Sequence, residues 1–500
     1  MPILSRTPLE ASEKLHLLEK VLSCQPHGNI TSLANDYSIS RKAVYTIRDA
    51  GKAALNVLVS DVNESNYITC VGVDKLQLHR TIVALSITSA NSIRAIIEQI
   101  PIIYPGCSAS FGYIQKVIIK AQKNAALFNK NVNLAHIISI AIDEMFSQGD
   151  PVLAGIDLDS GYLFSLSHET LRDGETWARV LGEAKEQDMK PRHVVKDGAK
   201  GIAKGVAMTF DEIEQRDDAF HAVYLASKAR LKLERKAYYY IEDEAKAEKK
   251  YRKASPENKR SLAKSFDWAK KKCIDAIELY TFAAHAVQKI RYSFCCVNFK
   301  NGELTTPDTA QLLLTQAIVL LRKTEHKACV SVALYLENRL IGLTLATSAL
   351  YQRLSALRCQ YSDVVISLTC RLIERERKIK KMSLWKLREV RIEMAGWNNL
   401  LSSKLIETEV TEIRGKIEKL IQTRHMASSA IEGFNATLRP YLYARKRVDQ
   451  GFLELFKAWY NLHPRRNGPR KGISAYESLT ETCVNDWLTL IGFPTSKQIN

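Results

Sequence analysis

The sequence predicts a mixed α and α/β protein: helical units first, then a five-stranded mixed sheet interrupted by a large all-α insertion. Three observations carry this. Apolar residues recur at helical spacing before residue 130 and again from 225 to 425. At residue 134 the period changes, and the nearly continuous β-prone run LAHIISIAIDEMF opens a series of short strands. The chain of 500 residues carries 72 Lys and Arg against 54 Asp and Glu, a net charge of +18. That balance asks for a polyanionic partner, most simply nucleic acid.

The 46% hydrophobic fraction is that of an ordinary globular chain. At roughly 100–200 residues per domain, several domains are expected. Ten cysteines are scattered with no C-x-x-C pair, so the tetrahedral zinc spacing is missing. They read as reduced, mostly packed thiols. The N-terminus has no basic-then-apolar signal pattern. The apolar run LIGLTLATSALY at 340–351 falls short of the roughly 20 residues a membrane helix needs. The expectation is a soluble, cytoplasmic, nucleoid-associated protein with no membrane partner.

Residues 1–60 read as a helix-turn-helix domain. Leu9, Leu15, Leu17, Leu18, Val21 and Leu22 lie close to helical spacing. Thr31 or Ser32 then caps a short helix holding Leu33, Ala34 and Tyr37. Ser40 caps a second helix with Ala43, Val44 and Ile47 inward and Arg41, Lys42, Tyr45 and Arg48 outward. In this pattern the second helix enters the major groove; an ordinary three-helix bundle is the alternative. Residues 61–130 read as a second helical DNA-binding or linker domain, with helices at 81–100 and 108–125 parted by IPIIYPG. Ser92 and Ser108 or Ser110 are its caps; Arg94, Gln115, Lys116 and Lys120 are its exposed polar candidates.

The strands fall within 131–224. LAHIISIAIDEMF, GDPVLAGIDLD (149–159) and GYLFSLS (161–167) make an antiparallel meander, the last two joined at Asp159-Ser160-Gly161. GETWARVLGEAKEQ (174–187) reads as an amphipathic helix, and RHVVKDG (192–198) as a short buried strand ending at Asp197. A helical AKGIAKGVAM follows. DDAFHAVY (217–224) is a candidate fifth strand or a strand-to-helix junction.

The order β-β-β-α-β-α-β is that of the ribonuclease H-like fold, in which a right-handed crossover lays the fourth strand parallel to the first. Asp143 and Asp197, each at a strand end, then face each other at the crevice where open sheets place their sites. Two carboxylates there repel unless a cation lies between them. Oxygen donors of this kind suit Mg²⁺ or Mn²⁺. Turn chemistry is the plainer reading of either aspartate alone, and Asp197-Gly198 is itself a turn signal. Asp157 and Asp159 are weaker alternatives beside a hairpin turn. Glu144 points to the opposite face if the strand runs through it.

Residues 225–425 read as a helical insertion with charged, solvated faces and some exposed Lys and Arg available to nucleic acid. Trp385 and Trp397 could stack on bases, but core packing is the plainer reading of both. Residues 426–485 return to the sheet domain, and 486–500 form a tail.

In SSAIEGFNATLR (428–439), Ser429 and Glu432 have the spacing of a capping box, which by itself needs no catalysis. Asn435 and Arg439 lie on the same helical face as Glu432, and Gly433 leaves room for a close approach. Downstream, Arg445, Lys446, Arg447, Arg465, Arg466, Arg470 and Lys471 are interleaved with aromatics, a pattern suited to nucleic acid.

AIDE, VVKDG and SSAIEGFNATLRPYL, with FKAWYNLHPRRNGPRKGISAYESL beyond, resemble the DDE transposases of bacterial insertion sequences. The resemblance covers 134–224 and 425–480. It implies an acidic triad of Asp143, Asp197 and Glu432 that holds two divalent ions, Mg²⁺ or Mn²⁺, with Arg439 as the basic residue seven positions on. It also implies that an insertion separates the second aspartate from the glutamate. Asp218 and His221 are similar to a D-x-x-H element of several such enzymes; His221 and Asn435 are candidate phosphate contacts, with core packing the plainer reading of His221. The partners implied are double-stranded DNA, as element ends and target, and a second copy of the chain in synapsis. A nuclease or resolvase that cuts without joining, or a non-catalytic DNA-binding regulator, is the alternative.

Overall fold

A computed structural model of the chain describes residues 9–23, 29–59, 74–89, 91–299, 301–379, 382–424, 429–445, 448–468 and 470–495. The chain divides into two compact units, Met1–Gly72 and Val73–Asn500.

The first unit holds α1 (Ala11–Ser23), α2 (Asn29–Asp36) and α3 (Arg41–Val59). Leu17, Leu33, Ala34 and Val44 are its buried centre, with Ile30, Tyr37 and Ile47 against them. Gly51 permits this packing: a Cβ there would meet Leu18 Cδ1 at 2.1 Å. Ser40 caps α3 as the sequence suggests, its Oγ accepting from the Ala43 N–H at 3.2 Å. Thr31 and Ser32 are not caps. Helix α2 starts at Asn29, because Ile30 joins Leu33, Ala34 and Tyr37 on one apolar face.

The second unit opens with α4 (Lys75–Thr88), α5 (Ile93–Ile103) and α6 (Phe111–Lys130). The helix expected over 81–100 is thus two, parted where Ser92 caps α5 by accepting from the Ala95 N–H at 3.1 Å. Ser110 caps α6 in the same way. These helices do not enclose a core of their own. Ile82, Val83, Ile87, Ile96, Ile100, Ile114 and Val117 share one apolar cluster with the sheet and the C-terminal helices.

The sheet is built from β1 (Ser139–Ser147), β2 (Asp150–Asp157), β3 (Leu163–His168), β4 (His193–Lys196) and β5 (Glu214–Asp217), with α7 (Gly174–Lys185) and α8 (Lys200–Thr209) in the two crossovers. Its order is β3-β2-β1-β4-β5. β1–β2 and β2–β3 are antiparallel; β1–β4 and β4–β5 are parallel. Of the two readings of 217–224 the junction holds: β5 ends at Asp217 and the next helix begins at Ala219. Asp218 caps the following helix, accepting from the Phe220 N–H at 2.6 Å, so the chain turns helical there. β1 is covered on both faces, which is why it reads as an almost unbroken apolar run. Ala141 and Met145 face the cluster with α4–α6; Ile140 and Ile142 face α7 and α8.

The insertion comprises α9 (Ala219–Arg252), α10 (Lys259–Ser293), α11 (Pro307–Lys323), α12 (Lys327–Glu337), α13 (Leu340–Ala356), α14 (Asp363–Ile379), α15 (Leu384–Ser402) and α16 (Glu407–Gln422). Two apolar clusters hold it together, one over α9–α13 and one over α13–α16. Trp397 is buried in the second, but Trp385 is 70% exposed and packs in no core. Among the described residues no single helix is long and apolar enough to cross a membrane.

The chain then returns with α17 (Ser429–Ala444), α18 (Gln450–Leu462), α19 (Ala475–Thr480) and α20 (Trp487–Leu490). The stretch read as a tail is packed as far as it is described. Leu488, Ile491 and Phe493 are buried, and Arg80 pairs with Asp486 at 2.7 Å.

Candidate active site

Asp143 and Asp197 are brought side by side by the parallel ladder. Its last pair is Ile142 beside Lys196, so the two aspartates are the next residue along each strand. The sequence places both at strand ends, and for Asp143 this needs correcting. β1 runs on to Ser147, with Asp143 opposite Ala154 of β2. What ends at Asp143 is the pairing with β4, and this leaves its edge open on that side. Glu144 faces the other way, as alternation requires. It accepts from Trp177 Nε1 at 3.1 Å and pairs with Arg172 at 2.8 Å. Asp157 is a turn residue, accepting from the Ser160 N–H at 2.7 Å and hydroxyl at 2.5 Å.

Helix α17 docks on the Asp143 face. Ile431, Phe434 and Leu438 bury into the shared cluster, a one-turn spacing that fixes which side of the helix meets the sheet. On that side the buried Asn435 donates from Nδ2 to Asp143 Oδ2 at 2.7 Å. Glu432 lies one turn earlier and is exposed. Asp197 and Glu432 are both close enough to raise the pKa of Asp143. Its carboxyl is pushed up to about 6, first by burial and then by these two charges, against hydrogen bonds from the Glu144 N–H and Asn435. The capping-box reading of Ser429 rests on a side chain outside the described residues.

Gly433 is exposed, and a Cβ there would meet nothing within 4 Å. Packing within this chain therefore does not require glycine in mid-helix. Gly433→Ala is expected to stabilise the protein by about 1 kcal/mol in denaturant unfolding.

The turn after Asp197 is held from the insertion. Asp197 accepts from the Ala199 N–H at 3.0 Å. Arg339, between α12 and α13, donates to the Gly198 carbonyl at 2.8 Å and lies 3.6 Å from Asp217 Oδ1. Lys196 reaches the same Asp217 oxygen at 3.5 Å. A Cβ on Gly198 would meet Arg339 Nη2 at 2.0 Å, so a side chain there would displace the guanidinium from its contact. The Arg339 guanidinium also lies over the Tyr335 ring, at 4.4 Å. Nothing local in the sequence marks Arg339. His221 packs its ring against Tyr335 at 5.6 Å, in the group whose Tyr335 hydroxyl is raised by burial and by nearby Asp217, Asp218 and Asp197. Asp218 of the D-x-x-H element is a helix cap.

The basic strip divides. Arg445 donates to the Ser86 carbonyl at 3.2 Å and covers the Phe452 ring at 3.9 Å. Arg465 donates to the Gly161 carbonyl at 3.0 Å and covers Tyr460 at 4.0 Å. Arg470 donates to the Leu158 carbonyl at 3.3 Å. These three, expected on DNA, tie the C-terminal segment to the rest of the unit. Arg439, Arg466 and Lys471 are exposed; Lys446 and Arg447 lie outside the described residues. The strip's aromatics are mostly core: Tyr441, Phe452, Phe456 and Tyr460 are buried together, while Tyr443 is exposed. In the first unit Arg41, Lys42 and Tyr45 are exposed on α3. Arg48 is half-buried, 4.8 Å from the Tyr45 ring and paired with Asp49.

Among the described residues no three His, Cys, Asp or Glu side chains form a ready ligand cage. The donor chemistry nevertheless fits a hard divalent cation. Asp143 lies on the sheet, Asp197 follows the end of the neighbouring strand, and Asp197 and Glu432 both raise the Asp143 pKa. Beside them, Asn435 Oδ1 is buried with no hydrogen-bond partner. No protein-family model matches the sequence, and no curated protein is significantly similar to it.

Proposed function

We propose that the chain is a DNA transposase of the DDE type, which cuts DNA at the ends of a mobile element and joins them to a target. One observation carries the reading. The helix bearing Glu432 is fastened to Asp143 by Asn435, 292 residues away in sequence, on the strand face where Asp197 is the next neighbour. The sheet order β3-β2-β1-β4-β5, with β2 antiparallel and β4 and β5 parallel to the central strand, supports a ribonuclease H-like core. The excess of 72 basic over 54 acidic residues supports a DNA substrate.

In this reading Asp143, Asp197 and Glu432 would hold two divalent ions. Bound there, Mg²⁺ or Mn²⁺ neutralises phosphate charge and lowers the pKa of a hydroxyl nucleophile. Asn435 fixes the Asp143 carboxylate through Nδ2. Arg439 stands two turns beyond Glu432, available to phosphate. Gly433 keeps the helix surface open to the DNA backbone. Arg41, Lys42 and Tyr45 present a helix to element ends, and pairing of two ends requires at least a dimer.

The test is a strand-transfer assay with purified protein, Mg²⁺ or Mn²⁺, and labelled duplex carrying the terminal repeats of the source element. Joined products are expected. Cleavage without joining would instead indicate a nuclease, and binding with neither a regulator. Arg339 is a positioning residue here, since it acts on Asp197 through the Gly198 carbonyl. Arg339→Ala should lower the cleavage rate about 10²-fold, as small misplacements of catalytic groups do, with DNA affinity unchanged. Weaker DNA binding with an unchanged rate would remove it from that role.

A further inference from the structure

The two longest helices, α9 and α10, form an antiparallel hairpin that outruns the insertion's core. Their base packs with α11–α13 through Ala222, Ala226, Ala229, Leu233, Ala283 and Ala286. Beyond Leu233, α9 continues to Arg252, roughly 30 Å at about 1.5 Å per residue. α10 returns over a similar length. The small residues Ala237, Ala269, Cys273 and Ala276 stay buried along this shaft, and Tyr251 stacks on Phe266 at 5.8 Å near the tip.

The tip is strongly basic. Residues 246–272 contain eleven Lys or Arg against three Asp or Glu. Among the described residues only Arg252 of these cations has a carboxylate within 4.0 Å, Glu248 on its own helix. Helix stability accounts for part of the charge: Lys249, Lys250 and Arg252 complement the C-terminal dipole of α9. It does not account for the rest. Lys259 and Arg260 occupy the first turn of α10, where no acidic residue stands and where cations oppose the dipole. Lys246, Lys249, Lys250 and Lys253 line one shallow groove.

The chemistry selects the partner. Trp268 alone among large apolar residues is exposed within 246–272, and one ring makes neither the wide apolar face that inserts into a bilayer nor the apolar centre of a protein interface. A rod of closely spaced cations matches a regular polyanion.

We propose that the α9–α10 hairpin is a DNA-contacting arm whose lysine-rich tip grips the phosphate backbone of a duplex without reading its sequence. This rests on the reading of DNA as substrate, but requires no catalytic role for any carboxylate.

The test uses the full chain, without divalent ions, and a fluorescent duplex of arbitrary sequence titrated from about 0.05 to 0.3 M salt. The variant replaces Lys249, Lys250, Lys253 and Arg260 by Gln; all four are exposed and Gln suits a helix. The slope of log K against log salt should become shallower by about 3 to 4, near one per lost phosphate contact. Affinity at about 0.15 M salt should fall at least about tenfold. A variant with Arg at the three lysine positions should keep the wild-type slope. An unchanged slope in the Gln variant overturns the proposal, as does loss of binding to anionic phospholipid vesicles with DNA binding intact. The readout needs neither a divalent ion nor cleavage, so the outcome is separate from whether the carboxylates act in catalysis.

Discussion

Replacing any one of Asp143, Asp197 or Glu432 by its amide is expected to abolish DNA cleavage and joining while leaving duplex binding intact. The loss should be about 10³-fold or more, equivalent to roughly 4 kcal/mol of transition-state stabilisation. The structure makes this a clean test, because none of the substitutions needs to disturb the fold. Glu432 is exposed, so Glu432→Gln removes charge and little packing. Asp197 accepts one backbone N–H, from Ala199 at 3.0 Å, and an asparagine carbonyl can accept it too. Glu144→Gln is the control. That carboxylate is one residue from Asp143 but faces Trp177 and Arg172, and its variant should retain activity. If Glu432→Gln cut and joined DNA at the wild-type rate, the triad would fail and α17 would keep only a structural role.

The sheet was legible because β1 is covered on both faces and the following strands are short and bounded by turns. Asp143 and Asp197 stood out for the same reason, as charges closing apolar runs. The sequence could not show that β1 continues to Ser147, because β2 goes on pairing with it after β4 has ended. Asn435 was legible as a residue on the Glu432 face, but its contact with Asp143 spans 292 positions and leaves no local trace. Arg339 is one cation among 72; its role comes from the way α13 meets β5.

The basic strip misled for a physical reason. Arginine serves carbonyls and aromatic rings as well as phosphates, and Arg445, Arg465 and Arg470 are spent on the former. A signal was present for the aromatics. Phe452, Phe456 and Tyr460 recur every four residues, the stripe of a buried helix face, and all three are buried.

Clustered carboxylates cost stability, and Asp143 gives that cost a sign and a window. Its folded pKa is raised from 3.8 to about 6. Between those values the folded state binds more protons than the unfolded chain, so stability falls as pH rises through this interval. Above about 6 the full cost is present, at most about 3 kcal/mol for a shift of this size. Asp143→Asn should therefore be more stable than the wild type at pH 8 without divalent ions, and the difference should vanish as pH falls toward 4. The substitution fits the site. Asn435 can turn its amide and offer Oδ1, now without a partner, to the new side-chain N–H, while the Glu144 N–H keeps its acceptor. Mg²⁺ at saturating concentration should raise the wild-type melting temperature at pH 8 and leave the variant unmoved, since ligand stabilisation follows affinity for the folded state. Paired thermal melts across pH, with and without Mg²⁺, measure both effects. A variant less stable than the wild type at every pH would mean that Asp143 is held by its hydrogen bonds more strongly than burial and its acidic neighbours oppose it.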